Sequence, residues 1–342
     1  MRIVTPFILV LALFSSCCLS AQAEPDTRPL VVASASIFAD MAENIAGGEV
    51  RVEMVVPIGG DPHIFEPTPE SVRLVAAADL VLINGLTFEG WMNELIANSG
   101  TRAKTVTITR GIETIESEEY ANSADPHAWM TANNGLTYVD NIRDALIALD
   151  PFNRKTYEFN AGVYRQQLED LDREIFRLVE SIPEKQRVLI TSHDAFRYFG
   201  RYYGIRVEAA LGTSTDADVQ TDDVNRLTTI IRETGVPAIF VESTINPKLI
   251  RQIAADTDVI IGGSLYADSL GEPGTEAETY EGMLKFNVAT IVGALRGETG
   301  AFEVGNPISR TEQLLLLGII LAVMGGAFGF MVVRINGANA LA

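Results

Sequence analysis

The chain is short of the side chains that most often carry chemistry. Its 342 residues include three histidines and two cysteines. Both cysteines, Cys17 and Cys18, fall inside a stretch that reads as an export signal. If cleavage follows Ala23, the mature chain has no thiol. Disulfides, thiolate nucleophiles and cysteine metal ligands are then excluded, and a metal site must be built from nitrogen and oxygen. No HExxH motif is present, which removes the commonest signature of a zinc hydrolase. Positive charge is scarce as well: 26 Lys and Arg stand against 45 Asp and Glu, a formal net charge of −19. That balance argues against nucleic acid and anionic surfaces as partners. It suits a cationic ligand, and equally an acidic surface that keeps an exported protein in solution.

The ends of the chain read as targeting segments. Residues 1–23 form a signal peptide: Arg2 supplies positive charge, residues 3–14 are a short apolar stretch, and Ala21-Gln22-Ala23 is a small-x-small cleavage site. Cys17 also raises a lipoprotein reading, although Phe14 stands where such a site normally has an aliphatic residue. Residues 314–333 are uncharged, with Arg310 and Glu312 before them and Arg334 after. About 20 apolar residues is the length of a transmembrane helix. The expected topology is a membrane anchor at 314–333, with residues 334–342 as a cytoplasmic tail, in agreement with the positive-inside rule. Residues 298–313 are left as a linker.

What is there is unevenly placed. Two of the three histidines sit in identical tripeptides, Asp61-Pro62-His63 and Asp125-Pro126-His127. The third lies in Thr191-Ser192-His193-Asp194. Imidazole is a common ligand of divalent transition metals, and three rings with one carboxylate complete a four-donor site. Spacing alone leaves open that the three are scattered loop residues.

Short β-branched runs alternate with amphipathic stretches. Strands are expected at 30–33, 50–56, 80–83, 105–108, 187–191, 207–209, 238–241 and 258–261, and helices at 37–46, 68–77, 91–97, 195–203, 222–233, 247–255 and 279–295. Such alternation predicts an α/β fold with parallel sheets covered by helices. A longer helix interrupts it at about 154–181. Its apolar residues Tyr157, Tyr164, Leu168, Leu171, Ile175 and Leu178 form one helical stripe, and Pro183 ends it. The expected organisation is an N-terminal lobe at 24–153, a rigid connecting helix at 154–183 and a C-terminal lobe at 184–297. Ligands of open α/β sheets bind beyond the carboxyl ends of strands, so the three histidines are expected in the cleft between lobes. Asp268, in the loop after the last strand, is the best placed carboxylate, though spacing alone makes it one acid among many.

Several further segments are recognisable. They are Gly60-Asp61-Pro62-His63-Ile64-Phe65-Glu66-Pro67-Thr68, Ala78-Asp79-Leu80, Asn84-Gly85, Glu89-Gly90-Trp91 and Asp125-Pro126-His127-Ala128-Trp129. They continue with His193-Asp194-Ala195-Phe196, Phe240-Val241-Glu242-Ser243, the loop at 263–271, Gly274-Thr275 and Tyr280. With them the chain resembles, over residues 30–295, the zinc/manganese solute-binding proteins of bacterial ABC importers, the ZnuA/TroA/PsaA type. The resemblance implies two lobes on a long backbone helix, a buried metal between them, and an ABC permease as partner. Carried over residue by residue, His63, His127, His193 and Asp268 match the family's four ligands. Its manganese members often have glutamate in place of His193. Many zinc members have a histidine-rich acidic loop before the second histidine motif. Here residues 113–124 hold Glu116, Glu118 and Glu119 and no histidine.

Asp61, Asp125 and Asp194 are candidates to accept the outer ring N–H of their neighbouring histidines, and Glu242 is a candidate near the cleft. Turn formation or helix capping is an equal alternative for each aspartate. The reading is therefore a receptor that captures zinc, or next manganese, as transported ligand and has no catalytic cofactor. A zinc-dependent hydrolase and a surface adhesion protein on the same fold are the alternatives.

Overall fold

A computed structural model of the protein describes residues 26–116, 123–216 and 220–297. The signal peptide, Cys17, Glu118, Glu119, the linker at 298–313 and the apolar run at 314–333 lie outside the described residues. No helix among the described residues is long and apolar enough to cross a membrane.

In the first half, β1 (Leu30–Ala33), β2 (Arg51–Met54), β3 (Leu80–Ile83) and β4 (Lys104–Thr107) form one parallel sheet in the order β2-β1-β3-β4. Every residue of β1 is buried, as its unbroken Leu-Val-Val-Ala run requires of a central strand covered on both faces. The crossovers are α1 (Ser36–Ala46), α2 (Pro69–Ala77) and α3 (Met92–Ser99). Thr68 caps α2, accepting the Ser71 N–H, and Pro69 fills the first turn, where its missing N–H costs nothing.

Two packed helices follow, α4 (Ala132–Leu149) and α5 (Arg154–Glu180). The second half holds β5 (Val188–Thr191), α6 (Arg197–Tyr203), β6 (Arg206–Ala209), α7 (Thr221–Thr234), β7 (Ala238–Glu242), α8 (Lys248–Thr257), β8 (Ile260–Leu265) and α9 (Tyr280–Leu295). Here β5 pairs with β6 and β7 with β8, both in parallel.

Two elements differ from the sequence expectation. No helix is expected from sequence at α4, because its first turn reads Ala-Asn-Asn-Gly, a run of poor helix formers. Thr131 supplies the start by accepting the Asn134 N–H, and Tyr138, Val139, Ile142 and Leu146 bury the inner face. Gly135 lets α4 approach its neighbours: a Cβ there would lie 2.9 Å from the Tyr280 hydroxyl and 3.2 Å from Leu168. The last strand begins later than expected, at Ile260, because Asp258 takes a left-handed conformation (φ 56°) that ends α8.

One apolar cluster runs through both halves. It joins Phe38, Trp129, Tyr138, Leu168, Ile175, Phe199, Tyr280 and Ile291 across α1, α4, α5, α6 and α9. Separate clusters close the outer faces, around Val32, Val75 and Leu95 in the first half and Ile190, Leu227 and Ile253 in the second.

Candidate metal centre

The three histidines and Asp268 come together from four loops. His63 follows β2, His127 opens a short 3-10 turn (Ala128–Met130) ahead of α4, His193 follows β5, and Asp268 follows β8. One donor atom from each lies within 4.8 Å of all the others. His127 Nε2 is 3.2 Å from His63 Nε2 and 3.3 Å from His193 Nε2. The Asp268 carboxylate approaches His193 Nε2 at 3.2 Å, His127 Nε2 at 3.4 Å and His63 Nε2 at 3.9 Å. All four side chains are at most 4% exposed. Both Asp268 oxygens are buried and face the ring nitrogens of the three histidines. A buried carboxylate needs a positive partner, which protonated rings or a cation can supply.

The outer faces of two rings are held by acids. Asp125 Oδ1 accepts the His127 backbone N–H at 2.9 Å and stands 2.8 Å from its Nδ1. Glu242 Oε1 accepts the N–H groups of Ser192 and His193, and its Oε2 lies 2.5 Å from His193 Nδ1. An acid at Nδ1 keeps the proton there and turns the Nε2 lone pair inward.

The two other aspartates do not hold rings. Asp61 accepts the His63 backbone N–H at 2.9 Å and, from the second half, the Thr215 hydroxyl at 2.7 Å. Asp194 faces Arg197 at 3.5 Å, because the chain turns after His193 and leaves its ring toward Glu242.

Other contacts were not foreseen from sequence. Ser269 ties the Asp268 loop to the first half, accepting the Gly59 N–H at 2.8 Å, while Leu270 N–H donates to Ser36 Oγ at 3.0 Å. Trp129 Nε1–H donates to the Ala267 carbonyl at 2.9 Å. The only sequence signal for Ser269 is that it adjoins Asp268.

Burial and charge divide the three rings. Burial pulls the His63 imidazole down to about 3. Burial acts the same way on His127, but Asp125 and Asp268 outweigh it and push this ring up to about 9. For His193, Glu242 and Asp268 outweigh burial, and the ring stays protonated well above its usual range. The Asp268 carboxyl is held well below the usual carboxylate range despite burial, by His193 and His127. Without a metal, protons on two rings balance the buried carboxylates, and a divalent cation can take their place.

The family model described as "Zinc-uptake complex component A periplasmic" (ZnuA) matches residues 31–294. The manganese-binding lipoprotein MntA of Halalkalibacterium halodurans is 36% identical over 291 residues, 84% of this chain and 96% of its own. The manganese ABC transporter substrate-binding lipoprotein PsaA of Streptococcus pneumoniae is 33% identical over 273 residues, covering 78% and 88%. Among solved structures, the periplasmic zinc-binding protein TroA from Treponema pallidum superposes with a TM-score of 0.75 at 34% identity, over 78% of this chain and 99% of its own. With a family match across almost all the described residues and a buried group of three histidines and one aspartate, the chain belongs to the ZnuA family, as a metal-binding substrate-binding protein of an ABC transporter and not an enzyme.

Proposed function

We propose that His63, His127, His193 and Asp268 are the four ligands of one transported divalent metal ion, and that Asp125 and Glu242 set the tautomers of the rings they touch. The carrying observation is the convergence of three Nε2 atoms on one buried carboxylate. The preferred cargo is zinc. A tetrahedral ion with bonds of about 2.0–2.1 Å places its donors roughly 3.3–3.4 Å apart. Four of the separations around His127 and Asp268, 3.2, 3.3, 3.2 and 3.4 Å, lie close to that, and the fifth, from His63 to Asp268, is wider at 3.9 Å. Manganese is the second reading, favoured by Asp268: both of its oxygens face the rings, and a bidentate carboxylate adds the oxygen donor that manganese prefers. MntA and PsaA, both named for manganese, agree with this second reading.

The receptor captures its ion outside the cytoplasmic membrane and hands it to the permease. It is held there through residues 314–333, with an acylated Cys17 as the other means of attachment. The test of the cargo is competition between zinc and manganese at equal free concentrations on metal-stripped protein. One ion per chain with zinc preferred is expected, and a preference for manganese reverses the cargo while keeping the ligands.

A further inference from the structure

Two of the three rings are oriented by a carboxylate at the outer nitrogen; His63 is held differently. Among the described residues only Asp268 comes within ion-pair distance of it, on the inner side. Its ring instead meets Phe88 nearly at right angles, with centroids 5.0 Å apart and planes at 86°. Phe88 also faces His127 at 6.2 Å and Trp129 at 4.7 Å, and is 1% exposed.

The backbone behind Phe88 is unusual. Gly85, Leu86 and Thr87 all have positive φ, at 76°, 54° and 68°. For Leu86 and Thr87 this is a costly conformation, since the Cβ crowds the carbonyl. Strain of this kind persists only where the surroundings fix it. They do so here through the buried Glu89, whose carboxylate accepts the N–H groups of Asn84 at 2.6 Å and Gly85 at 3.1 Å. Asn84 in turn donates to the Pro126 carbonyl at 3.0 Å and accepts the Tyr138 hydroxyl at 2.6 Å. The turn is thus braced against the backbone that carries His127, and it delivers Phe88 against His63.

We propose that Phe88, presented by this strained turn, is a specificity-determining positioning residue. It holds His63 Nε2 close to His127 Nε2, and so favours a small four-coordinate ion over a larger one of higher coordination. The proposal rests on the ligand assignment made above. The near-perpendicular Phe88 ring confines the imidazole and restricts the directions in which it can retreat to admit a wider shell.

Cobalt(II) is the probe, because its visible absorption is strong in tetrahedral and weak in octahedral surroundings. The full chain is compared with Phe88→Leu, which keeps an apolar side chain, and with Leu86→Gly/Thr87→Gly, which removes the strain. Wild type is expected to take one cobalt with strong absorption. In Phe88→Leu the absorption should weaken, and zinc affinity should fall by about 10- to 100-fold, the usual effect of losing a residue that orients a ligand. Manganese affinity should fall less, so the zinc-to-manganese ratio drops; the double glycine variant, which adopts positive φ at no cost and keeps Phe88, should retain the wild-type spectrum and ratio. If Phe88→Leu melts earlier but keeps the wild-type spectrum and metal ratio, Phe88 is only packing and the proposal is overturned. If wild type takes no cobalt, or His63→Ala keeps the wild-type spectrum, the ligand assignment itself fails and the proposal with it.

Discussion

Asp125 and Asp61 occupy the same place in the same tripeptide and do different work. Asp125 is fully buried and reaches both the backbone and the ring of its histidine. Asp61 is only partly buried, and its second oxygen accepts from Thr215 in the second half. The repeated tripeptide is visible in sequence; this division is not, because burial decides it. The same holds for His193, whose ring partner is 49 residues away at Glu242 while the adjacent Asp194 turns to Arg197. Replacing Asp125 or Glu242 by alanine should weaken metal binding by about 10- to 100-fold with one ion per chain retained, as read by calorimetric titration.

Protonation gives a second check at this scale. His127 titrates at about 9 in the metal-free fold against an ordinary 6.5. A raised value means that the folded chain holds the proton more tightly than the unfolded one. The stability it contributes is complete below pH 6.5 and is lost as pH rises through about 9. The melting temperature of metal-free protein should therefore fall between those values. Over the same range metal binding should strengthen, since protons on His127 and His193 compete with the ion. Calorimetry near neutral pH in buffers of different ionisation enthalpy should show proton release, roughly one to two per ion. Binding without proton release contradicts the charge balance described for the site.

At the scale of elements, strands with continuous β-branched runs are legible residue by residue: 30–33 and 80–83 coincide with β1 and β3. Where glycine serves packing instead of turning, the pattern misleads. Gly262 and Gly263 look like a loop, but they belong to β8 because a side chain at Gly262 would strike Phe240 and Ala294. Gly135 weakens the local signal for α4 and is what allows α4 to lie against Leu168 and Tyr280. Gly135→Val should accordingly destabilise the fold by about 1–3 kcal/mol through overpacking, despite the better helix former. Denaturant titration measures this, and an unchanged midpoint would show that the helices have room to separate. Tyr280 also donates to the Trp129 carbonyl at 2.6 Å, so the same variant should loosen the turn that carries His127.

For the whole molecule, membrane attachment has a direct test. Truncation after Gly305 should release a protein that binds one ion per chain and no longer sediments with membranes. If it still sediments after washing, an anchor near the N-terminus holds it, and Cys17 is the residue to replace. The shared interior has a different consequence. Leu168, Ile175, Tyr280 and Ile291 belong to the same apolar cluster as Phe38 and Tyr138, so the largest core is shared between the halves. The two halves are a single thermodynamic unit: heat should melt the chain in one transition, and an ion gripped at one point should raise the melting temperature of every helix together. A polypeptide cut between α5 and β5 should yield two fragments that fold only in each other's presence.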